Sequence, residues 1–281
     1  MNRVLFKISG WICVQAITYK KIYFLVLCGV IYTGSLHANP MQQFIEAYVP
    51  LGENGKIAIP AHIKHIKLDI GLSYSAPQSQ QWLSHEEDLW VFGFEPHLGS
   101  VDSIRKGAVK KLPGHGEPLD IKYIDTQFFL IPCALGNLSG AYVDFYITEN
   151  DCGCSSLYRP LTLNFQEVTR VPVFRLSDFF DLFPFDTHPV IEYIKTDAQG
   201  SDLDIIKNAG HYLQDRVVYI TIELEDTEYE NTNNSGSECI DYMNSIGFIQ
   251  TYGHPTEDPT FLNTRFIDYI QKNNVKIFQK G

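Results

Sequence analysis

The 281-residue chain has no surplus of positive charge: 22 Lys and Arg stand against 33 Asp and Glu, a formal net charge of −11. A sequence-independent nucleic-acid binder needs a basic surface to neutralise phosphates, and a nonspecific binder of anionic membranes needs one too, so the composition argues against both. A long apolar run is also missing. Ile22 to Tyr32, bounded by Lys21 and Thr33, falls short of the ~20 residues that a spanning helix needs. There is no internal repeat and no low-complexity tract. The H-E-x-x-H, G-x-S-x-G and G-x-G-x-x-G patterns are absent, which removes the sequence signatures of helical zinc peptidases, serine hydrolases and dinucleotide oxidoreductases. Cys152-Gly153-Cys154 has no Cys/His partners at zinc-site spacing and reads as two thiols in a turn. His62 and His65 lead into an apolar strand and read as surface or core residues, so no metal site is expected.

The N-terminus is the first positive feature. Lys20 and Lys21, the apolar run, and Leu36-His37-Ala38 before Asn39-Pro40 have the layout of a secretory signal cleaved after Ala38. An uncleaved anchor with the domain outside, and a buried cytosolic helix, are the alternatives. Residues 1–40 are therefore taken as a signal-peptide or membrane-anchor leader, with membrane association through residues 22–38, and 41–281 as the folded domain. Cys133, Cys152, Cys154 and Cys239 would remain after cleavage, and four cysteines permit three pairings.

Beyond the leader, apolar runs alternate with helix-like segments. Strands are expected at Ile63–Ile70, Asp88–Glu95, Thr126–Pro132, Gly140–Thr148, Val190–Thr196 and Val217–Glu225, and a closing antiparallel pair at Phe248–Thr251 and Thr260–Phe266. Helices are expected at Met41–Tyr48, from Ser75 through Trp82, from Ser177 through Phe183, after Ser201 and at Ser237–Ser245, with Ser75, Ser177 and Ser201 as N-terminal caps and Gly210 as a C-terminal cap. His97 to Tyr123 reads as part helix and part loop, and Asp226 to Gly236 as a polar loop. Strands alternating with helices argue for an α/β fold with a mostly parallel sheet.

Three of these strands end on an acid: Asp69, Glu95 and Asp197. Open α/β sheets bind ligands beyond the carboxyl ends of their strands, and a carboxylate after the second strand is placed to accept from both hydroxyls of a ribose. Gly71 would let backbone approach a ligand that a Cβ would obstruct. Asp69 would hold a cationic amine, while Asp197 and Gln199 would line the pocket mouth. Glu223 ends the following strand in the same way. The ordinary alternative for any one of these acids is that it solvates a sheet edge or caps a helix.

Leu68-Asp69-Ile70-Gly71, Val91-Phe92-Gly93-Phe94-Glu95-Pro96, Ile131-Pro132-Cys133-Ala134-Leu135-Gly136, Ser155-Ser156-Leu157, Val171 to Leu176, Lys195 to Ile206 and Phe261-Leu262-Asn263 follow one another over about residues 60–266. In that order they resemble the FkbM family of S-adenosylmethionine-dependent methyltransferases. The resemblance implies a Rossmann-like class I methyltransferase, a seven-stranded mostly parallel sheet with a C-terminal antiparallel hairpin and helices on both faces. It implies S-adenosylmethionine as cofactor and methyl transfer to an oxygen of a small molecule or sugar. Carried over residue by residue, Asp69, Gly71, Ser73 and Ser75 would lie in the first cofactor loop. Glu95 and Pro96 would take the ribose, Ala134 and Leu135 the adenine, and Gln199 and Gly200 the floor near the methyl group. Asp197 is the first candidate base, Glu223 the second and Lys195 a weaker third. The family usually has a further glycine where Ser75 stands, so Ser75 is expected to crowd the loop. A methyltransferase-fold binding domain without turnover is the alternative. The acceptor pocket is expected to involve Lys106–Gly116 and Asp226–Gly236. Export by the leader and a cytosolic cofactor point to opposite compartments.

Overall fold

The computed structural model describes residues 5–8, 11–14, 39–107, 116–149, 152–224, 229–230, 232, 236–252, 258–273 and 275. The chain divides into two units, 1–38 and 39–281. In the first, β1 (Leu5–Ile8) and β2 (Trp11–Val14) form an antiparallel pair. The expected leader segment, 22–38, lies outside the described residues. Among the described residues no helix is long and apolar enough to cross a membrane.

The second unit begins with α1 (Pro40–Ile45), whose first turn is capped by the Asn39 side chain accepting from the Met41 N–H. Then follow β3 (His65–Ile70), α2 (Pro77–Leu83), β4 (Leu89–Phe94), α3 (Leu98–Lys106) and β5 (Phe128–Ile131). Next come β6 (Ala134–Leu135), β7 (Ala141–Thr148), β8 (Phe165–Phe174) and α4 (Leu176–Leu182). The chain continues through β9 (Ile191–Thr196), α5 (Asp202–Lys207), α6 (Tyr212–Arg216) and β10 (Val217–Ile222). It closes with α7 (Gly236–Ser245), β11 (Phe248–Tyr252), β12 (Thr260–Asn263) and α8 (Ile267–Asn273).

Seven strands make one sheet in the order β11-β12-β10-β9-β3-β4-β5. The pairs β5–β4–β3–β9–β10 are parallel, and β12 runs antiparallel to both neighbours. The central strands are buried on both faces, so they read as near-continuous apolar runs rather than alternating ones. One face packs on α1, α4, α5, α6 and α7 through Met41, Phe179, Ile205, Leu213 and Met243. The other packs on α2 and α3 through Trp82 and Ile104, with Tyr269 and Ile270 of α8 against the same core. Buried Asn263 secures the closing strand, since its side-chain amide donates to the carbonyls of Gln214 and Val217 at 2.9 Å each.

A second sheet, β6-β8-β7, stands apart from the first. The strand expected at Gly140–Thr148 belongs here, in a long antiparallel pairing with β8. Its alternating burial reflects one face on a small core of Ala134, Phe145, Ile147, Val171 and Val173 and one face in solvent.

Four local expectations are overturned. The cap position of α2 is held by Ala76, left-handed at φ 47°, and not by Ser75. Arg175, not Ser177, precedes α4, and the Asp178 carboxylate accepts the Arg175 N–H at 2.9 Å. Ser201 occupies the cap position of α5 but has helical backbone angles (φ −93°, ψ −3°), not the extended ones that aim a hydroxyl at the first free amides. The Asp202 carboxylate closes that turn instead, accepting from the Ala198 N–H at 3.0 Å. Helix α5 ends at Lys207 with Asn208 as its C-terminal cap, and Gly210, at φ 62°, lies in the turn to α6.

Candidate active site

Strand order reverses between β3 and β9, and the carboxyl ends of β3, β4, β9 and β10 converge there. This is the crevice in which a doubly wound sheet binds ligands. It holds a cavity of about 830 Å³, within the range of small-molecule and cofactor sites, roughly 300–1,000 Å³. Asp69, Gly71, Ser73, Glu95, Pro96, Ala134, Leu135, Asp197, Gln199 and Glu223 all line it. Of the residues expected from sequence, Ser75 and Gly200 do not.

The loop after β3 is set by close packing. Gly71 has φ 79°, and a Cβ on it would lie 1.7 Å from the Asp197 carbonyl oxygen. The glycine therefore makes room for the neighbouring loop, and it also lines the cavity. The loop continues through Ser73 (φ 53°) and Ala76 (φ 47°). Ser75 is buried outside the cavity, where its carbonyl accepts from Leu119 at 2.8 Å, so it does not crowd the site.

Glu95 ties this loop to the next one. Its Oε2 accepts the Leu72 N–H at 3.1 Å and its Oε1 the His97 N–H at 2.9 Å. Burial raises its carboxyl to about 8, against the pull of those amides. Asp69 is buried at the end of β3 and takes the Ser79 hydroxyl on Oδ2 at 2.5 Å. Burial raises its pKa, with Lys195 pulling the other way. Asp69 Oδ1 and the hydroxyls of Ser73 and Ser201 are buried without a hydrogen-bond partner among the described residues, and all three residues line the cavity.

The second sheet supplies the opposite wall: Cys133, Ala134, Leu135, Phe145 and Leu157 make an apolar surface there. Cys133 is a buried free thiol whose pKa burial raises, and Cys239 is also free. The pair Cys152-Gly153-Cys154 is one turn of 3-10 helix, in line with the turn reading.

The floor is polar. The Lys195 ammonium sits 2.7 Å from Asp197 Oδ2. Gln199, left-handed at φ 52°, places its Nε2 3.0 Å from Asp197 Oδ1 and 2.7 Å from Glu223 Oε2. Its Oε1 accepts from the Tyr229 hydroxyl at 2.6 Å, and its carbonyl accepts from the Ser156 hydroxyl at 2.6 Å. Burial works against the charge on Asp197, but Lys195 and the surrounding donors hold it down at about 2. Glu223 is pushed well above the carboxylate range by burial and by Asp197 beside it. Lys195 would be lowered by burial, yet Asp197 and Asp69 raise it overall. Asp202, buried beneath, is raised to about 7 by burial and then by Asp197.

Sequence reasoning missed Ser79 and Tyr229 and assigned no site role to Ser156. Ser79 lies ten positions after Asp69, in the first turn of α2, and Tyr229 follows the acidic end of β10 in a polar stretch without periodicity. The Lys106–Gly116 and Asp226–Gly236 loops expected around the acceptor lie largely outside the described residues. Away from the cavity, His65, Glu86 and Glu192 cluster with ligand-type atoms within 4.8 Å of one another, and the Lys67 ammonium pairs with Glu86 there.

A family model described as the methyltransferase FkbM domain matches residues 86–249, more than half of the chain. The match takes in Glu95, Asp197 and Glu223 and begins after the Asp69–Gly71 turn. No curated protein and no solved structure matches the chain. Matched over more than half of its length, the chain belongs to the FkbM methyltransferase family.

Proposed function

We propose that this methyltransferase uses S-adenosylmethionine and methylates an oxygen of a small molecule or sugar. The observation that carries the reading is the set of partnerless polar atoms on the cavity wall, Asp69 Oδ1 and the hydroxyls of Ser73 and Ser201. Buried polar groups in native proteins are almost always hydrogen-bonded, so such a set fits a polar ligand. Asp69 would face the cofactor's ammonium group and Glu95 its ribose, where the carboxyl, besides the backbone N–H groups it accepts, keeps acceptor capacity. Ala134 and Leu135 would hold the adenine on the apolar wall.

The cofactor supplies the electrophilic methyl group, so the protein's task is to position the acceptor and receive a proton. Asp197 is ionised and 31% exposed, and it lines the cavity where it can accept from an incoming hydroxyl. A pKa of about 2 does not disqualify it. A hydroxyl oxygen that has gained a methyl group is a much stronger acid than any carboxyl, so a weak base suffices for a late proton transfer. The O–H bond breaks, the proton passes to Asp197, and water at the cavity mouth then removes it. Glu223, holding its own proton, is the donor beside it.

Calorimetric titration of the protein with S-adenosylmethionine tests the reading. Glu95→Ala is expected to weaken binding at least tenfold, about 1.4 kcal/mol. Unchanged affinity would remove the ribose assignment. A folded protein that binds no cofactor would support a binding domain without turnover.

A further inference from the structure

Gln199 carries an amide that bonds in three directions. Its nitrogen faces two carboxyl groups, Asp197 at 3.0 Å and Glu223 at 2.7 Å, and its oxygen faces the Tyr229 hydroxyl at 2.6 Å. A primary amide has two N–H donors on one side and a carbonyl on the other, and turning it over exchanges them. Placed the wrong way round, the carbonyl would point at an ionised carboxylate. The ionised Asp197 favours the –NH2 side, and a donor on the far side adds to that preference: the single Tyr229 hydroxyl proton, for which the Cys154 carbonyl is a second acceptor, lies there.

Tyr229 is itself held. It is buried, its hydroxyl lies 2.8 Å from the Cys154 carbonyl, and its backbone forms an antiparallel bridge with Pro160. The next residue, Glu230, donates its N–H to the Arg159 carbonyl at 2.9 Å. Gly200 is bare where the ring lies: a Cβ there would come within 3.4 Å of Tyr229 and 2.8 Å of Thr232. This explains Gly200 without a ligand.

Two carboxyls sharing one amide at such distances do not both ionise readily; they hold a proton between them as a pair. The neighbouring charges set where it rests. Lys195, near the end of β9 and two residues before Asp197, bonds Asp197. Asp202 at the start of α5, Asp69 at the end of β3 and Glu95 beyond β4 are the other carboxyls around the pair, each raised by burial first and then by Asp197 among its neighbours.

We propose that Tyr229 is a positioning residue of the methyl-transfer site: its hydroxyl steadies the Gln199 amide so that one –NH2 group donates to both Asp197 and Glu223 and favours the ionised form of the pair. The assignment rests on the function proposed above for its catalytic meaning, though not for its structural content. With the proton on Glu223, Asp197 stays ionised toward the acceptor.

The test needs neither acceptor nor cofactor. In the full-length protein with isotope-labelled glutamate, infrared spectroscopy reports the carbonyl stretch of protonated glutamic acids, and Glu223→Gln identifies the Glu223 band by its loss. Tyr229→Phe keeps the ring and removes the hydroxyl. It is expected to raise the titration midpoint of that band by at least one pH unit, a tenfold change, because a freed amide no longer donates steadily to the ionised pair. If Tyr229→Phe fails to fold, Gln199→Leu removes the same link with Tyr229 in place, and the same upward shift is expected. A midpoint unmoved in the folded variant, or no band lost in Glu223→Gln, overturns the assignment. An upward shift in a protein that binds no S-adenosylmethionine would uphold the assignment while sinking the proposed function.

Discussion

Lys195 stands opposite Asp69 in the register of the parallel β3–β9 pair, and its ammonium bonds Asp197 two residues further along. One partly buried cation thus serves two carboxyls on neighbouring strand ends. Removing it leaves both acids without their counter-charge; breaking a fully buried ion pair from one side costs roughly 3–5 kcal/mol, and the exposure of Asp197 brings the expected cost below that, to about 2–3 kcal/mol. Lys195→Met is expected to lose stability on that scale in urea unfolding. The loss should be smaller near pH 4, where the orphaned carboxyls take protons, than near pH 8. Equal losses at both pH values would show that Lys195 acts through packing alone.

Gly71→Ala should be among the most damaging single-methyl changes in the domain. The added Cβ would lie 1.7 Å from the Asp197 carbonyl, on a backbone with φ 79°. Overpacking costs about 1–3 kcal/mol before any penalty for the left-handed backbone. A fall of at least about 2 kcal/mol in unfolding free energy is expected, with Asp197 displaced. A stable variant would mean that the two loops move apart freely.

Glu95 makes stability depend on pH. Its carboxyl is raised from 4.5 to about 8, so the folded protein keeps a proton that the unfolded chain has lost. The contribution is complete below the unfolded value and is lost as pH rises toward the folded one, with a slope of up to about 1.4 kcal/mol per pH unit. Glu95→Gln should flatten this part of the curve between those limits. Ribose hydroxyls donate, so they favour the ionised carboxylate. Cofactor binding near neutral pH should therefore release a proton, measurable by calorimetry in buffers of different ionisation heat. Binding without proton release would argue against Glu95 as the ribose ligand.

His65 acts in the same direction from the other end of β3. Its Nδ1 lies 2.8 Å from Glu192, and that hydrogen bond, opposed by burial, raises its pKa above 6.5. Its contribution is complete below 6.5 and fades as pH rises through the folded value. His65→Gln should lose stability chiefly on the acid side, leaving melting temperatures closer to the parent's in the alkaline range. A uniform loss across pH would assign His65 a packing role only.

Much of the sheet was legible because buried parallel strands are short apolar runs, and those runs end where turn residues and acids begin. Asp69, Glu95, Asp197 and Glu223 could be read as strand ends from local pattern alone, and all four meet at one cavity. The serine caps could not. A serine before a helix caps it only if its backbone is extended, and Ser201 is helical while Ala76 displaces Ser75 from the cap position.

The amino-acid sequence by itself determined the alternation of strands and helices, the acidic strand ends and the family pattern, because each depends on spacing along the chain. Only the tertiary structure decided that Gly71 is bare for the Asp197 carbonyl, that β6, β7 and β8 leave the main sheet to wall the cavity, and that Gln199 joins Tyr229 to the Asp197–Glu223 pair. These are contacts between segments far apart in sequence, and the proton's resting place follows from the charges that those contacts bring together.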